Sequence, residues 1–286
     1  MTPTPTFKEG DYVTHATLAK WGLGKVLEPL SGGIVRIFFE YEGEKKMRQD
    51  FLAPASKPAS HPVLDRIDRL RTVKGFIPFP GMESAFLAKF PQGFSDPAYV
   101  ENERVYKANA SAFLRQHLSR ESLLPLITNE DFETVCKLAK KVVSKTNLIF
   151  ANESMDLADG IKKGEAERRL FALALVDLLH GEGDLGPRFD GFVDALEALD
   201  ACKWTTATYF LSLYDPNQYI FVKPSYIQKA AQAVGLDIGY TTRPNWACYQ
   251  RIRGLIDYIS GQLSKRDLLQ PADLIDVQGF IWTSLT

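Results

Sequence analysis

The sequence from Ala195 to Gly235 is ALEALDACKWTTATYFLSLYDPNQYIFVKPSYIQKAAQAVG. Its apolar residues recur with a helical period up to Leu199 and again from Thr205, which predicts two helices joined by a short turn. Asp215-Pro216-Asn217 ends the second helix, because proline cannot continue the helical hydrogen-bond ladder. An extended YIFV segment then leads to Pro224-Ser225, a typical helix start with Ser225 as the expected N-cap.

The chain after residue 63 keeps this helical pattern. VLDRIDRLR, which starts at Val63, spaces its apolar residues as one face of a helix. Further amphipathic stretches cover 101–118, 121–127, 130–145, 156–180, 188–199, 205–214, 225–234, 244–264 and 273–283. No internal repeat is found, so the pattern predicts a bundle of roughly eight to ten helices rather than a solenoid.

Residues 7–53 have a different pattern, with short segments separated by turn residues. VRIFFEY at Val35–Tyr41 is rich in β-branched and aromatic residues and follows Ser31-Gly32-Gly33. This favours about five short strands in a small barrel over residues 1–55. The prolines of APASKPASHP then predict a linker to a helical domain over 63–286. Trp21, Phe38 and Phe39 are expected in the barrel core.

Composition excludes several classes of protein. The 286 residues are 45% hydrophobic and 24% charged, with a net charge of −1, so neither a disordered chain nor a polybasic coat is expected. No apolar run approaches the ~20 residues of a membrane span, and the first residues lack the apolar core of a signal peptide. The sequence therefore predicts a soluble, cytoplasmic protein without a membrane partner.

Cysteine and histidine are too scattered for a metal centre. The three cysteines form no CxxC pair, and the four histidines form no HxxxH pair. The chain also lacks GxxxxGK[ST], GxGxxG and GxSxG motifs. No metal and no cofactor are expected.

The N-terminal glycines carry a family resemblance. Phe7-x-x-Gly10-Asp11-x-Val13-x-His15, followed by Trp21-Gly22-x-Gly24-x-Val26, resembles the Tudor/SH3-like modules of bacterial nucleic-acid-associated proteins. The CarD-type modules and those of helicase tails are the nearest of these. The resemblance implies that this barrel contacts nucleic acid or a protein partner.

The helix–turn–helix order around Leu199 resembles the helix-hairpin-helix DNA glycosylase superfamily. In that family a hairpin L-P-G-V-G-x-x-T-A precedes a catalytic Asp that lies 16 or 17 residues after its alanine. Residues 199–207 fit this frame, with Leu199, Thr206 and Ala207 in place. The two glycine positions hold Ala201 and Lys203 instead. The lysine position of lyase members is Thr205, and the Asp position is Lys223. The fold expected from both resemblances is mainly α: a small N-terminal SH3/Tudor-like β-barrel plus a large all-α helix-hairpin-helix-like domain.

This second resemblance implies a DNA interface. Backbone N–H groups of the hairpin would grip a phosphate, while the following helix N-terminus would face a flipped nucleotide. The segment from Leu199 to Arg266 holds eight Lys/Arg against four Asp and no Glu, a net charge of +4 that is compatible with duplex DNA. The predicted DNA-binding residues are Lys203, Trp204, Thr205, Arg188, Ser225, Tyr226, Lys229 and Arg243.

Two residues are candidates for catalysis, Lys223 and Asp276. A cation at a helix N-terminus is disfavoured by the macrodipole, so Lys223 is expected to have an anionic partner: a phosphate, Asp276 or Asp215. It is interpreted either as a snorkelling lysine paired with a carboxylate or as an amine nucleophile. Asp273 is expected to cap the last helix, and Asp276 either complements its dipole or replaces the family's acid.

The roles predicted for the other polar residues follow from their positions on the helices. Glu103 and Lys107 are spaced as i, i+4 partners on a solvated helix face. Asn147 is expected to cap a helix end, while Gln278 is placed to reach a pocket.

The sequence therefore predicts a DNA glycosylase, a hydrolase that excises a flipped, modified or damaged base from double-stranded DNA. Resemblance to anti-phage glycosylases extends the expected substrates to modified phage bases such as glucosylated hydroxymethylcytosine. The alternative is a non-catalytic DNA-binding or RNA-polymerase-associated adaptor, and a protein-binding scaffold is a third class.

Overall fold

The computed structural model describes residues 6–61, 63–70 and 76–286. The chain packs into two compact units. The first unit is Met1–Lys89 with Lys229–Asp237 and Ser284–Thr286, and the second unit is Phe90–Gln228 with Ile238–Thr283. The domain limits expected from the sequence, 1–55 and 63–286, stay a prediction. Pro62 of the expected linker and Arg71 of the VLDRIDRLR segment lie outside the described residues.

The N-terminal part of the first unit is a five-stranded antiparallel sheet. Its strands are β1 (Tyr12–His15), β2 (Leu23–Pro29), β3 (Ile34–Phe39), β4 (Gly43–Arg48) and β5 (Leu52–Pro54). They are arranged in the order β4-β3-β2-β1-β5. Alternate residues of the strands bury a core that includes Val13, Ile37 and Phe39, with Trp21 packed against it. The predicted core position of Phe39 is confirmed, whereas Phe38 is buried outside this core, with its ring 6.2 Å from that of Phe76.

Among the described residues after β5, regular structure resumes with a short helical turn that starts at Leu64. This turn is fixed to the sheet by a hydrogen bond of 2.7 Å from the Tyr12 hydroxyl to Asp65 Oδ1. Burial and the neighbouring Asp65 raise the pKa of Tyr12 to about 12. The segment that follows β5 is thus tied to the sheet as well as linked to it by the chain.

The remaining described elements are helical. They are α1 (Ile67–Leu70), α2 (Phe79–Lys89), α3 (Pro97–Tyr99), α4 (Val105–His117), α5 (Arg120–Thr128), α6 (Phe132–Val143), α7 (Ala151–Lys162), α8 (Glu165–His180), α9 (Leu185–Ala198), α10 (Trp204–Tyr214), α11 (Pro224–Val234), α12 (Trp246–Leu263) and α13 (Leu274–Ser284). The predicted fold class, mainly α with a small N-terminal β part, is confirmed. The stretch predicted as one helix over 156–180 is two helices, because Gly164 is extended between α7 and α8.

The central element of the second unit is α10. Every residue from Trp204 to Leu213 is buried, so this helix has no solvent-facing side over that length. A helix that is apolar all round is expected only where other helices cover it on every side. Phe210 contacts Phe171 of α8 and Phe192 of α9, with ring centroids 6.2 and 6.3 Å away. The predicted helix thus forms the interior of the bundle.

The turn from α9 to α10 depends on close packing against α7. Asp200 adopts a left-handed backbone conformation with φ of 58°, and the frame of the family hairpin has proline at this position. Proline fixes φ near −65°, so the turn differs in conformation from that hairpin. A Cβ on Gly160 of α7 would lie only 2.3 Å from the Leu199 carbonyl oxygen. Only glycine lets the two backbones approach this closely.

Replacing Gly160 with alanine is therefore expected to destabilise the second unit by more than about 2 kcal/mol, because the added methyl group overlaps a backbone oxygen. The matched control is Gly254→Ala in α12, where a Cβ would contact nothing within 4 Å. That variant should gain roughly 0.5–1 kcal/mol from helix propensity. Denaturant unfolding of both variants measures the difference, and equal stabilities would contradict the close approach.

Candidate functional site

The second unit places a buried ion pair between the start of α4 and the start of α13. Arg104 Nη1 lies 2.7 Å from Asp276 Oδ1, and its two terminal nitrogens each lie 2.9 Å from an oxygen of Asp273. The Tyr99 hydroxyl also donates to Asp276 Oδ1, at 2.9 Å. Burial, followed by the charge of Asp276, raises the pKa of Tyr99 above its ordinary value, so this hydroxyl stays protonated.

Asp276 is fully engaged by these contacts. Its second oxygen, Oδ2, accepts a hydrogen bond of 2.8 Å from the Ala272 backbone N–H, and the residue is only 2% exposed. The catalytic role expected for Asp276 would require a carboxylate that is free to activate water. With one arginine, one hydroxyl and one N–H as donors, this side chain holds α13 in position instead. Asp273 acts as predicted: it directly precedes α13, and its Oδ1 accepts from the Ile275 N–H at 2.9 Å.

A π-helical turn at Val100–Arg104 precedes α4 and orients the Arg104 side chain toward α13. A π turn inserts one residue into the helical repeat and rotates the following side chains, and such turns are frequent at functional sites. Here two consecutive residues have different partners: Arg104 contacts α13, while Glu103 lies beside Lys107 and lines a cavity.

Lys107 is buried, which corrects the expected solvated face. The residue is 2% exposed, and its Nζ has one carboxylate contact, Glu103 Oε2 at 3.4 Å. Burial lowers the pKa of Lys107 below its ordinary value, and Glu103 opposes part of that effect. Burial also raises the pKa of the adjacent Tyr106 to about 12, with a smaller contribution from Glu103. The i, i+4 spacing alone gave no sign of this burial.

These side chains line one cavity of about 120 Å³, which we call the Lys223 cavity. It combines carboxamides, a carboxylate, amines and aromatic rings, which are contributed by segments far apart in the chain. Its lining residues are Asn102, Glu103, Tyr106, Lys107, Asn147, Leu148, Lys223, Gln278 and Trp282. Of the residues predicted to be catalytic, Lys223 lines this cavity and Asp276 supports its wall. The expectation that Gln278 reaches a pocket is confirmed.

Lys223 is fixed by the extended segment before α11. That segment pairs with no strand among the described residues, so side chains satisfy its buried backbone. The Tyr249 hydroxyl accepts from Ile220 N–H at 3.0 Å and donates to Ile220 C=O at 2.9 Å. Thr208 Oγ1 accepts from Val222 N–H at 2.9 Å. Because α11 starts at Pro224, Ser225 lies in its first turn rather than at the expected N-cap.

The ammonium group of Lys223 faces aromatic rings and pairs with neither of the expected carboxylates, Asp276 and Asp215, while the expected phosphate partner stays a prediction. Its Nζ lies 4.0 Å from the ring centroid of Phe150, 4.6 Å from that of Trp282 and 5.9 Å from that of Tyr226. These distances suit cation–π attraction. In the described ranges no carboxylate forms an ion pair with this lysine, and burial lowers its pKa from the ordinary value. Tyr226 also stacks on Trp282, with centroids 4.1 Å apart.

The predicted hairpin residues are divided between surface and interior. Lys203 is exposed at the start of α10, whereas Trp204 and Thr205 are 1% and 2% exposed. Trp204 donates its indole N–H to the Thr241 carbonyl at 2.8 Å. The side chains of Trp204 and Thr205 are therefore not accessible to DNA in this conformation, because they pack inside the bundle.

Three of the other predicted DNA contacts already have partners within the protein. Arg188 donates to the carbonyls of Asp177 and Gly181 at the end of α8 and to that of Asp184 at the start of α9. Arg243 pairs with Asp194 and Glu197 of α9, at 2.7 and 2.8 Å. Lys229 donates to the Leu285 carbonyl at 3.2 Å, within the first unit. The positive charge counted between Leu199 and Arg266 is thus partly neutralised by acidic residues outside that segment.

Within residues 6–61, 63–70 and 76–286, no group of three or more His, Cys, Asp or Glu side chains is placed to bind a metal ion. None of the helices in those ranges is both long enough and apolar enough to cross a membrane.

Comparison with known proteins gives one match. Residues 7–53 match a family described as protein of unknown function, DUF3553. The match coincides with the β-sheet of the first unit and fits the small N-terminal β module predicted from the sequence. No curated protein matches the chain, and no solved structure does.

Replacing Asp276 with alanine should lower the free energy of unfolding by about 2–3 kcal/mol, because it leaves the buried Tyr99 hydroxyl without its acceptor and removes one of the two carboxylates that bind the half-buried Arg104. The control is Asp257→Ala on the exposed side of α12, which should change stability by no more than about 0.5 kcal/mol. Urea unfolding measures both variants, and a loss below about 1 kcal/mol for Asp276→Ala would contradict the structural role.

Lys107 makes stability depend on pH in a defined direction. Its folded pKa is lowered, so between that value and the unfolded pKa near ~10.4 the unfolded chain binds more protons than the folded one. The cost of burying the charge is therefore fully present below the folded pKa and disappears as pH rises to about 10.4. Wild type should gain stability relative to Lys107→Met over that range. Thermal unfolding of both proteins from neutral pH upward measures the gap, and a constant gap would contradict the prediction.

Proposed function

We propose that the second unit is a DNA glycosylase that receives a flipped base in the Lys223 cavity and cleaves its N-glycosidic bond. One observation supports this proposal most directly. The cavity brings a carboxylate (Glu103), a half-buried amine (Lys223) and a stacking ring (Trp282) together in a space of about 120 Å³.

The cavity offers the contacts that an extruded base requires. A base taken out of the stack is held by stacking on an aromatic ring and by hydrogen bonds to its edge. Trp282 provides a ring on which a base can stack, and the Tyr226 ring stacks on Trp282. The carboxamides of Asn147 and Gln278 each provide one acceptor and two donor hydrogens, and that of Asn102, whose Nδ2 already donates to the Ala98 carbonyl at 2.8 Å, provides one acceptor and one donor hydrogen.

The proposed reaction assigns separate roles to Glu103 and Lys223. Glu103 accepts a proton from water as the water oxygen forms a bond to C1′ of the sugar. The C1′–N bond breaks, and its electron pair leaves with the base, which takes a proton from the Lys223 ammonium. The lowered pKa makes this ammonium a stronger acid. Proton transfer from Glu103 back to Lys223 restores the site. In the alternative route, a neutral Lys223 amine attacks C1′ and displaces the base, which leaves with the electron pair of the C1′–N bond and takes one amine proton. The C1′–O4′ bond then opens, the second amine proton passes to O4′, and the nitrogen lone pair forms the C=N bond of the Schiff base.

The proposal extends to bulky modified bases such as glucosylated hydroxymethylcytosine. Carboxamide and carboxylate groups on the cavity wall match the hydroxyl groups of such a base, since each hydroxyl is both donor and acceptor. The exposed ring of Phe150, 54% accessible, extends the aromatic surface beyond Lys223.

A second candidate is a DNA-binding adaptor without catalysis. The observation that favours it is the full engagement of Asp276, which leaves Glu103 as the only carboxylate among the residues that line the cavity. In this alternative the cavity holds a nucleotide but breaks no bond.

The test is base excision from duplexes that carry unmodified cytosine, hydroxymethylcytosine or its glucosylated form, with alkali to reveal abasic sites. Glu103→Gln should reduce excision about 10²–10⁴-fold, because it removes the proton acceptor. Glu101→Gln is the matched control, since Glu101 lies exposed in the same π turn. Binding to these duplexes without any cleavage by wild type would favour the adaptor.

Lys223 is tested separately by Lys223→Ala and Lys223→Arg, with excision and borohydride trapping as the two measurements. Trapping by wild type that disappears in both variants supports the nucleophile. Excision that survives in Lys223→Arg but not in Lys223→Ala supports the ammonium role. Full excision by Lys223→Ala would remove this residue from the mechanism.

A further inference from the structure

The second unit has a concentration of positive charge that lies outside the predicted hairpin. Residues 104–120 contain four basic residues and no Asp or Glu, and residues 134–152 likewise contain four lysines and no Asp or Glu. The first segment spans α4, and the second spans most of α6 and the loop after it. Arg104 is paired with Asp273 and Asp276 and Lys107 is buried, so the exposed positive charge lies mostly on the lysines of the second segment, although the whole chain has a net charge of −1.

The charges meet around one aromatic ring of α4, Phe113. Lys145 Nζ lies 4.2 Å from the centroid of this ring, and Lys141 Nζ lies 5.4 Å from it. The His117 ring contacts the same phenyl group, with centroids 4.1 Å apart. We call Phe113, His117, Lys141 and Lys145 the Phe113 cluster.

The lysines of this cluster have no acidic partner in the part of the chain that the structure describes, and Lys141 and Lys145 are both exposed. Lys137, one turn earlier in α6, differs: its Nζ lies 2.6 Å from Glu133. Two ammonium groups over one ring repel each other, and exposed cation–π contacts offset this repulsion only weakly. An anion placed between them would remove the repulsion.

The cluster lies in line with the Lys223 cavity. Tyr106 lines the cavity, and Phe113 follows it by seven residues, which returns to the same face of α4 about 10 Å further along. Lys145 is two residues before Asn147, another cavity residue. One DNA strand advances about 3.4 Å along the helix axis per phosphate, so this offset corresponds to about three nucleotide steps.

We infer that the Phe113 cluster binds the phosphate backbone of duplex DNA, about three nucleotides from the base held in the Lys223 cavity. The inference rests on the proposed function in taking DNA as the partner. It places the main phosphate contacts at the end of α6 and in the loop after it, where Lys141 and Lys145 form no ion pair with the described residues. The hairpin retains Lys203 as its exposed cation, whereas Arg243 and Arg188 are occupied by protein groups.

The experiment measures binding of the full chain to an unmodified fluorescent duplex by anisotropy at several salt concentrations. Lys141→Glu and Lys145→Glu should each reduce the slope of log K against log salt by about one unit and weaken binding about tenfold near 0.1 M salt. Phe113→Leu, which keeps both charges, should leave the slope nearly unchanged. Thermal unfolding of each variant confirms that it is folded.

The matched control is Lys162→Glu, which makes the same change of charge at an exposed lysine of α7 that is paired with Asp159. A slope for Lys141→Glu and Lys145→Glu equal to that of Lys162→Glu would overturn the inference. Because the duplex is unmodified, binding is measured independently of base excision. Loss of binding in the cluster variants together with no excision by wild type would keep the phosphate surface and reject the glycosylase.

Discussion

The candidate site depends on the contacts of the Arg104 guanidinium. This group connects the π turn before α4 to both carboxylates at the start of α13, and Tyr99 and the Ala272 N–H complete the coordination of Asp276. Buried ion pairs of this kind contribute little net stability, but they fix one arrangement of the elements that they join. Here that arrangement brings Glu103 and Lys107 of the turn and α4 opposite Gln278 and Trp282 of α13.

The site contains two amines that differ in environment. Lys107 is enclosed and has one weak carboxylate contact, whereas Lys223 is half-buried and faces rings. Burial lowers the pKa of both, but only Lys223 follows an extended segment whose backbone is anchored by Tyr249 and Thr208. Because the preceding backbone is anchored and aromatic rings stabilise its charge, the Lys223 amine is suited to exchange a proton without changing its position.

The sequence predicted the elements better than the site. Helical periodicity identified α9, α10 and α11 with the turn and the extended segment between them, because these helices carry strong apolar patterns and proline stops. Helix α2 was missed, since Pro80 and Gly81 fall within its first turn. The cavity could not be predicted because its residues come from four segments spread between Asn102 and Trp282. Neither the π turn nor the burial of Lys107 leaves a local signal, since Glu103 and Lys107 have the spacing of a surface pair.

The loop after α6 joins two surfaces that have been described separately. Lys145 and Asn147 flank Thr146, whose hydroxyl lies 2.8 Å from the Tyr209 hydroxyl, and Tyr209 in turn donates to the Val142 carbonyl at 3.0 Å. The anchored Thr146 holds its two neighbours, Lys145 and Asn147, at a fixed separation. If an anion at Lys145 changes the affinity of the cavity for a molecule, reciprocity requires that molecule to change the affinity for the anion by the same factor.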